Sequence, residues 1–233
     1  MIRQRKDKLS AFVLASPLLL FLSALVVWPI YLGIKTSLSR DLLSEFEITP
    51  AGLDNFKAVL SAPDFWGALR FTLIFAVVAT LLEGLLGFLL ALVFDRKFPG
   101  KRTLFSMILI PIMIAPSLMA VMYRLILNEN IGIIPGFFTL VTLDAIQYTS
   151  FAFLLVYAAL QNIPQEIYES AAIDGARYRQ VIARITIPIL RPALAIIAML
   201  RLIDSFRTFD TIYILTGGGP GTSTQTIGIY IYK

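Results

Sequence analysis

An all-α, multi-pass transmembrane helical bundle is the fold class this sequence predicts, and three observations carry the prediction. Hydrophobic residues fill 58% of the 233 positions and mean hydropathy is +0.79, well beyond a soluble domain. The apolar residues fall in long runs, several near the roughly 20 residues a helix needs to cross a bilayer. Lys and Arg gather in short clusters beside those runs, as topology requires of cytoplasmic flanks. The net charge of +5 therefore reads as membrane orientation, and no nucleic-acid partner is expected. The chain has no Cys and no His, which removes disulfides, most zinc sites and Cys- or His-based catalysis.

Residues 1–10 read as a cytoplasmic N-terminus and 11–233 as one transmembrane domain in the cell (inner) membrane. The first run, 11–34, is longer than a signal-peptide core of about 7–15 residues and lacks a small-x-small cleavage pattern. It reads as a retained span, held inside by Arg3, Arg5, Lys6 and Lys8, with Trp28 and Tyr31 at the far interface. Residues 35–69, with Asp41, Glu45, Glu47, Asp54 and Asp64, fit an external loop. The second span, 70–94, carries Glu83, whose carboxylate is costly at that depth. It is expected to make a structural bond between helices, with a direct ligand role as the alternative.

The basic loop 95–102 returns the chain inside, and the third span, 103–127, is expected to kink at Pro111 and Pro116. Residues 128–142 contain no Lys or Arg and belong outside. In the fourth span, 143–161, Asp144, Gln147, Tyr148 and Phe151 recur at helical steps and share a face that lipid would penalise. The fifth span, 185–206, carries a stripe of Arg201, Asp204, Ser205 and Thr208, for which an internal Arg201–Asp204 pair and a substrate contact stand as equal readings. The glycines of 216–221 lack a following Lys-Ser/Thr, so they form an external turn and no phosphate loop. A further apolar pattern begins near 224, and the chain is expected to stop inside an incomplete sixth span.

Between the fourth and fifth spans lies a polar hairpin, 164–184. Pro164, Glu166 and Glu169 suit a helix start, Ala171 and Ala172 favour the helix, and Asp174-Gly175 reads as a turn into a second helix over 176–185. Arg177, Arg179, Arg184 and Arg191 put it on the cytoplasmic side.

The segment Glu169-Ser170-Ala171-Ala172-Ile173-Asp174-Gly175-Ala176, followed by Ile185-Thr186-Ile187-Pro188, resembles the E-A-A…G…I-x-L-P loop of ABC importer permeases of type I, in the form of the carbohydrate-uptake (sugar or glycerol-phosphate) subfamily. Glu83 with Gly87 and Ala91, Pro111 and Pro116, residues 158–164, and the FRTFDTIYILTGGGPG stretch at 206–221 extend the resemblance through most of the chain. Ser170, Ile187 and Pro135 depart from the family's usual Ala, Leu and Asn.

The resemblance implies a coupling helix that docks on a cytoplasmic ATPase dimer, with Glu169, Ala171, Ala172, Asp174 and Gly175 as its coupling residues. It implies a second, different permease as partner, a solute-binding protein that delivers the solute, and ATP on the partner ATPase with no cofactor on this chain. The spans flanking the loop line the solute path in that family, so Asp144, Gln147, Tyr148, Phe151, Arg201 and Ser205 are the expected path for a sugar or polyol. Glu83 and Asp204 are the expected intramembrane structural residues. Arg201 would also suit a phosphorylated polyol.

Two other function classes compete. An ion-coupled transporter or channel without an ATPase would use Glu83 and Arg201 but leaves the hairpin unexplained. An intramembrane enzyme would need Glu83, Asp144, Asp204 or Asp210 as acid and base, and none has a local catalytic motif.

Overall fold

The computed structural model describes residues 2–40, 49–127 and 136–233, with side chains described within 14–39, 50–127 and 136–233. The side chains of Arg3, Arg5, Lys6 and Lys8, the acidic Asp41, Glu45 and Glu47, and the turn containing Pro135 lie outside the described residues. The chain divides into two compact units, 1–63 and 64–233.

In the first unit, helix α1 (Ile2–Ser37) continues through the basic N-terminus. A two-residue antiparallel bridge, β1 (Ser39–Arg40) with β2 (Thr49–Pro50), and helix α2 (Asp54–Ser61) follow it. Asn55 fastens this turn, donating from Nδ2 to the carbonyls of Ser37 at 2.9 Å and Ser39 at 3.0 Å.

Helix α3 (Pro63–Asp95), all but its first residue in the second unit, starts earlier than the apolar run because Pro63 and Asp64 suit a first helical turn. Next come α4 (Lys101–Met113) and α5 (Pro116–Ile126), whose axes meet at 94°. The expected kinked span is thus a broken one. Ile114 and Ala115 between the helices are extended, as steric clash with the Pro116 ring favours for the residue before it.

Helix α6 (Phe137–Gln161) begins within the stretch expected outside and runs to the hairpin. The hairpin consists of α7 (Gln165–Ile173) and α8 (Tyr178–Val181). From α8 the chain continues through a π-helical turn, Ile182–Thr186, where the Ile187 N–H reaches back to the Ile182 carbonyl, into α9 (Ile187–Phe206). The second hairpin helix and the fifth span are therefore one rod, Tyr178–Phe206. The wide π turn suits the entry of Pro188, which has no N–H to give. Short helices α10 (Asp210–Thr216) and α11 (Ile227–Tyr232) complete the unit. Between them the glycine-rich stretch turns through Gly217, Gly218 and Gly221, all at positive φ. The start of α11 is pinned where the Ile227 N–H donates to Thr72 Oγ1 on α3 at 2.9 Å.

Among the described residues four helices are long and apolar enough to cross a membrane, and the α4–α5 pair makes a fifth if the bent pair counts as one crossing.

Two apolar cores among the described residues hold the second unit. One joins Phe75 and Ala79 of α3 to Ala120, Leu140, Leu143, Ile212 and Ile229. The other joins Ala91 and Phe94 to Ala152, Phe153, Val156, Leu190 and Ile197. Small residues bring α3 and α6 close in the second core: a Cβ on Gly87 would stand 2.7 Å from both Ala152 Cβ and the Phe153 nitrogen. Without a hydrophobic drive between helices in lipid, such close van der Waals packing is a main source of association.

Candidate functional site

Along α3 and α6 the two cores are separated by charge. Arg201 of α9 is 1% exposed and meets Glu83 of α3, 0% exposed, in a two-pronged pair: Nε donates to Oε2 at 2.6 Å and Nη2 to Oε1 at 3.0 Å. Nη2 also reaches Asp144 Oδ2 of α6 at 3.3 Å and Ser205 Oγ, one turn along α9, at 3.2 Å. The guanidinium lies over the Tyr148 ring, its Cζ 3.8 Å from the ring centroid. Three helices thus converge on one arginine, whose planar fork suits bidentate carboxylate pairing where a lysine would not.

The sequence left Arg201 to choose between Asp204 and a substrate. Asp204 sits only three residues away, but its side chain is 52% exposed and its carboxylate stands 3.8 Å from Nη1. The arginine is instead matched to carboxylates 118 and 57 residues distant. Arg201 and Asp144, both expected on a solute path, are bonded to each other and buried.

The predicted face of α6 has a second duty. Gln147 Nε2 donates to the Ile114 carbonyl at 3.0 Å, and Ser150 Oγ donates to the Ile108 carbonyl. Ile114 sits at the α4–α5 break and Ile108 in the turn before Pro111, so α6 supplies donors beside a span whose own ladder is interrupted. Ser150 was missed in the sequence; its place three residues after Gln147 on the same face was the available signal. Tyr148 and Phe151 are the partly exposed members of that face.

At the other end of the same two helices lies the hairpin. Gly175 takes φ +71°, a conformation open to Gly without steric cost, and the Ala176 N–H closes back on the Ala171 carbonyl at 2.9 Å. Ala171 is buried, while Glu169, Ala172, Asp174 and Ile173, the last 87% exposed, face outward. The end of α3 and the residue after it brace this region: the Arg96 guanidinium lies 4.5 Å from the Tyr178 ring centroid, and Gln161 Nε2, at the end of α6, donates to Asp95 Oδ1 at 3.0 Å. A cavity of about 320 Å³ under the hairpin is lined by Asp95, Leu160, Tyr168, Tyr178 and Thr186. Another, of about 420 Å³, lies between α3, α6 and α9; its walls are apolar apart from Thr80 and Arg201. No group of His, Cys, Asp and Glu suited to a metal ion occurs among the described residues.

This architecture is shared. The family model described as binding-protein-dependent transport system inner membrane component matches residues 83–233. The trehalose/maltose transport system permease protein MalF of Thermococcus litoralis is 34% identical over 251 aligned residues, covering 100% of this chain and 85% of that protein. The sulfoquinovosyl glycerol transport system permease protein SmoG of Agrobacterium fabrum is 30% identical, covering 97% of this chain and 80% of that protein. Among solved structures, a bacterial ABC transporter involved in import of the acidic polysaccharide alginate superposes with TM-score 0.75 at 22% identity, over 99% of this chain and 86% of the other. Fold, hairpin motif and relatedness along the whole chain agree, and the chain belongs to the family of binding-protein-dependent transport system inner membrane components, as an inner-membrane ABC importer permease.

Proposed function

We propose that this chain forms one half of the transmembrane path for a sugar, polyol or closely related solute, paired with a second, different permease and driven by an ATPase dimer that binds the α7–α8 hairpin. A solute-binding protein delivers the cargo on the outside. The chain moves solute without making or breaking its bonds, carries no cofactor, and relies on ATP bound by the ATPase subunits. The basic residues at 3–8 hold its N-terminus in the cytoplasm.

The observation that carries this reading is the hairpin itself. An exposed two-helix element, turned at Gly175 and presenting Glu169, Ala172, Ile173 and Asp174, sits between the two helices that meet at Arg201. Displacement of such an element by a closing partner would rock those helices, the physical content of alternating access. For the cargo, the names of the relatives point to carbohydrates, glycosides and glycerol phosphate. On α6, the partly exposed Tyr148 and Phe151 offer the aromatic surface that sugar rings favour; Arg201, bonded to Asp144 and Ser205, lies against the Tyr148 ring, and Gln147 shares their helix face while bonded to Ile114.

The test is ATP hydrolysis by the reconstituted complex with and without loaded binding protein. Glu169→Lys and Gly175→Pro are expected to abolish the stimulation while the complex still assembles. Unchanged stimulation in both variants would mean that the hairpin is a solvated loop with no part in coupling.

A further inference from the structure

The buried ion cluster stands far from the hairpin yet on the same helices. From Tyr178 to Arg201 the rod rises about 35 Å, and from Gln161 back to Asp144 helix α6 rises about 25 Å, at about 1.5 Å per residue. The hairpin joins α6 to the rod at one end, and the bonds from Arg201 to Asp144 and Glu83 join α6, the rod and α3 at the other. Apolar side chains such as Phe153, Val156, Leu190 and Ile197 fill the space between.

Apolar packing resists sliding and rotation through shape alone, as at Gly87, and forms no bond of fixed orientation. A bidentate guanidinium–carboxylate pair does, because its geometry is fixed in distance and plane. Burying one cation with two carboxylates is a poor source of stability compared with well-packed apolar side chains. Its distinctive property is directional connection across three helices.

We propose that Arg201, Glu83 and Asp144 form a positioning joint that makes α3, α6 and α9 move as one body, so that a push at the hairpin reaches the far end of the spans and binding-protein docking at that end reaches the hairpin. The proposal rests on the hairpin being the ATPase-coupling element. Asp204, half-exposed and 3.8 Å from the arginine, lies outside the joint.

The experiment uses the complete complex with partner permease, ATPase and binding protein, and reads the ratio of ATP hydrolysis with binding protein to that without it. The triple variant Glu83→Gln, Asp144→Asn, Arg201→Met removes all three charges together, so no buried ion is left unmatched. In assembled triple-variant complex the ratio is expected to fall at least about fivefold, the lower end of ordinary coupling between sites. A loss of stability alone would lower the amount of complex and leave the ratio of what assembles unchanged. Arg201→Lys keeps the charge and loses the fork, and its ratio is expected to fall about twofold or more. Asp204→Asn is expected to keep the full ratio.

A wild-type ratio in either the assembled triple variant or Arg201→Lys overturns the joint. Should the triple variant not assemble, the Arg201→Lys ratio alone decides. Should the unsubstituted complex show no stimulation by its binding protein, the coupling function itself fails, an outcome separate from failure of the joint.

Discussion

The two ends of the α6 and α9 pair are built on opposite principles. At the hairpin, Glu169, Asp174, Arg177 and Arg179 are exposed, and the turn depends on backbone conformation at Gly175. At the other end Glu83, Asp144 and Arg201 are buried, and the arrangement depends on charge pairing, one guanidinium serving two carboxylates. Exposed charges are solvated in either state of the molecule and are free to meet another protein. Buried ones are committed to one another, since removing a single partner strands the rest. The hairpin thus combines a backbone-defined turn with charges left to solvent, whereas the buried cluster commits its charges to one another across three helices.

This contrast is sharpened first by Arg201→Met alone, which leaves two carboxylates buried without a cation. The expected loss is about 3–5 kcal/mol, the usual result of breaking a buried pair. It should appear as a large fall in thermal stability of the purified permease, and little change there would mean that water reaches the site.

Next comes Gln147→Leu, which removes the donor to the Ile114 carbonyl at the α4–α5 break. An orphaned carbonyl costs about 1–3 kcal/mol when fully buried, an upper bound for half-buried Ile114. The same melting measurement should place this variant between the arginine variant and wild type, and a wild-type melt would mean that another donor serves that carbonyl.

The smallest effect is expected from Gly175→Ala. No atom lies within 4 Å of the added Cβ, so only the left-handed backbone at φ +71° is strained. About 1–2 kcal/mol is expected from that strain, confined to the hairpin, so protease sensitivity there should rise while the melting of the bundle barely moves. A bundle-wide effect would show that hairpin and spans unfold as one unit and would erase the distinction between the two ends.

Much of this was legible in the sequence, and the gaps have physical causes. Long apolar runs and flanking Lys and Arg announce spans because the bilayer admits few alternatives. The Asp174-Gly175 turn is legible because few residues other than Gly take that φ readily. That Glu83 and Arg201 need partners also follows from their depth. Which partners they take does not: Asp204 is the nearer acid in sequence, and it is the packing of α3, close to α6 at Gly87, together with α9 that sets Glu83 beside Arg201. Pro111 and Pro116 foretell a disturbed span, but a bend of 94° needs donors on another helix, and Gln147 and Ser150 are identified as such only once α6 is in place.

The π-helical turn at Ile182–Thr186 is marked in the sequence only by the Pro188 that follows it, yet it sets the phase of everything after it. An extra residue in a helical turn rotates the downstream helix by about 100° relative to an uninterrupted α-helix. The side of α9 that carries Arg201 and Ser205 is therefore indexed to the hairpin by this one added residue. The spacing between Gly175 and Arg201 is thus fixed even where composition is not: a single-residue deletion between Pro188 and Arg201 would turn the guanidinium toward a different neighbour while leaving the hairpin residues and the 185–188 stretch intact.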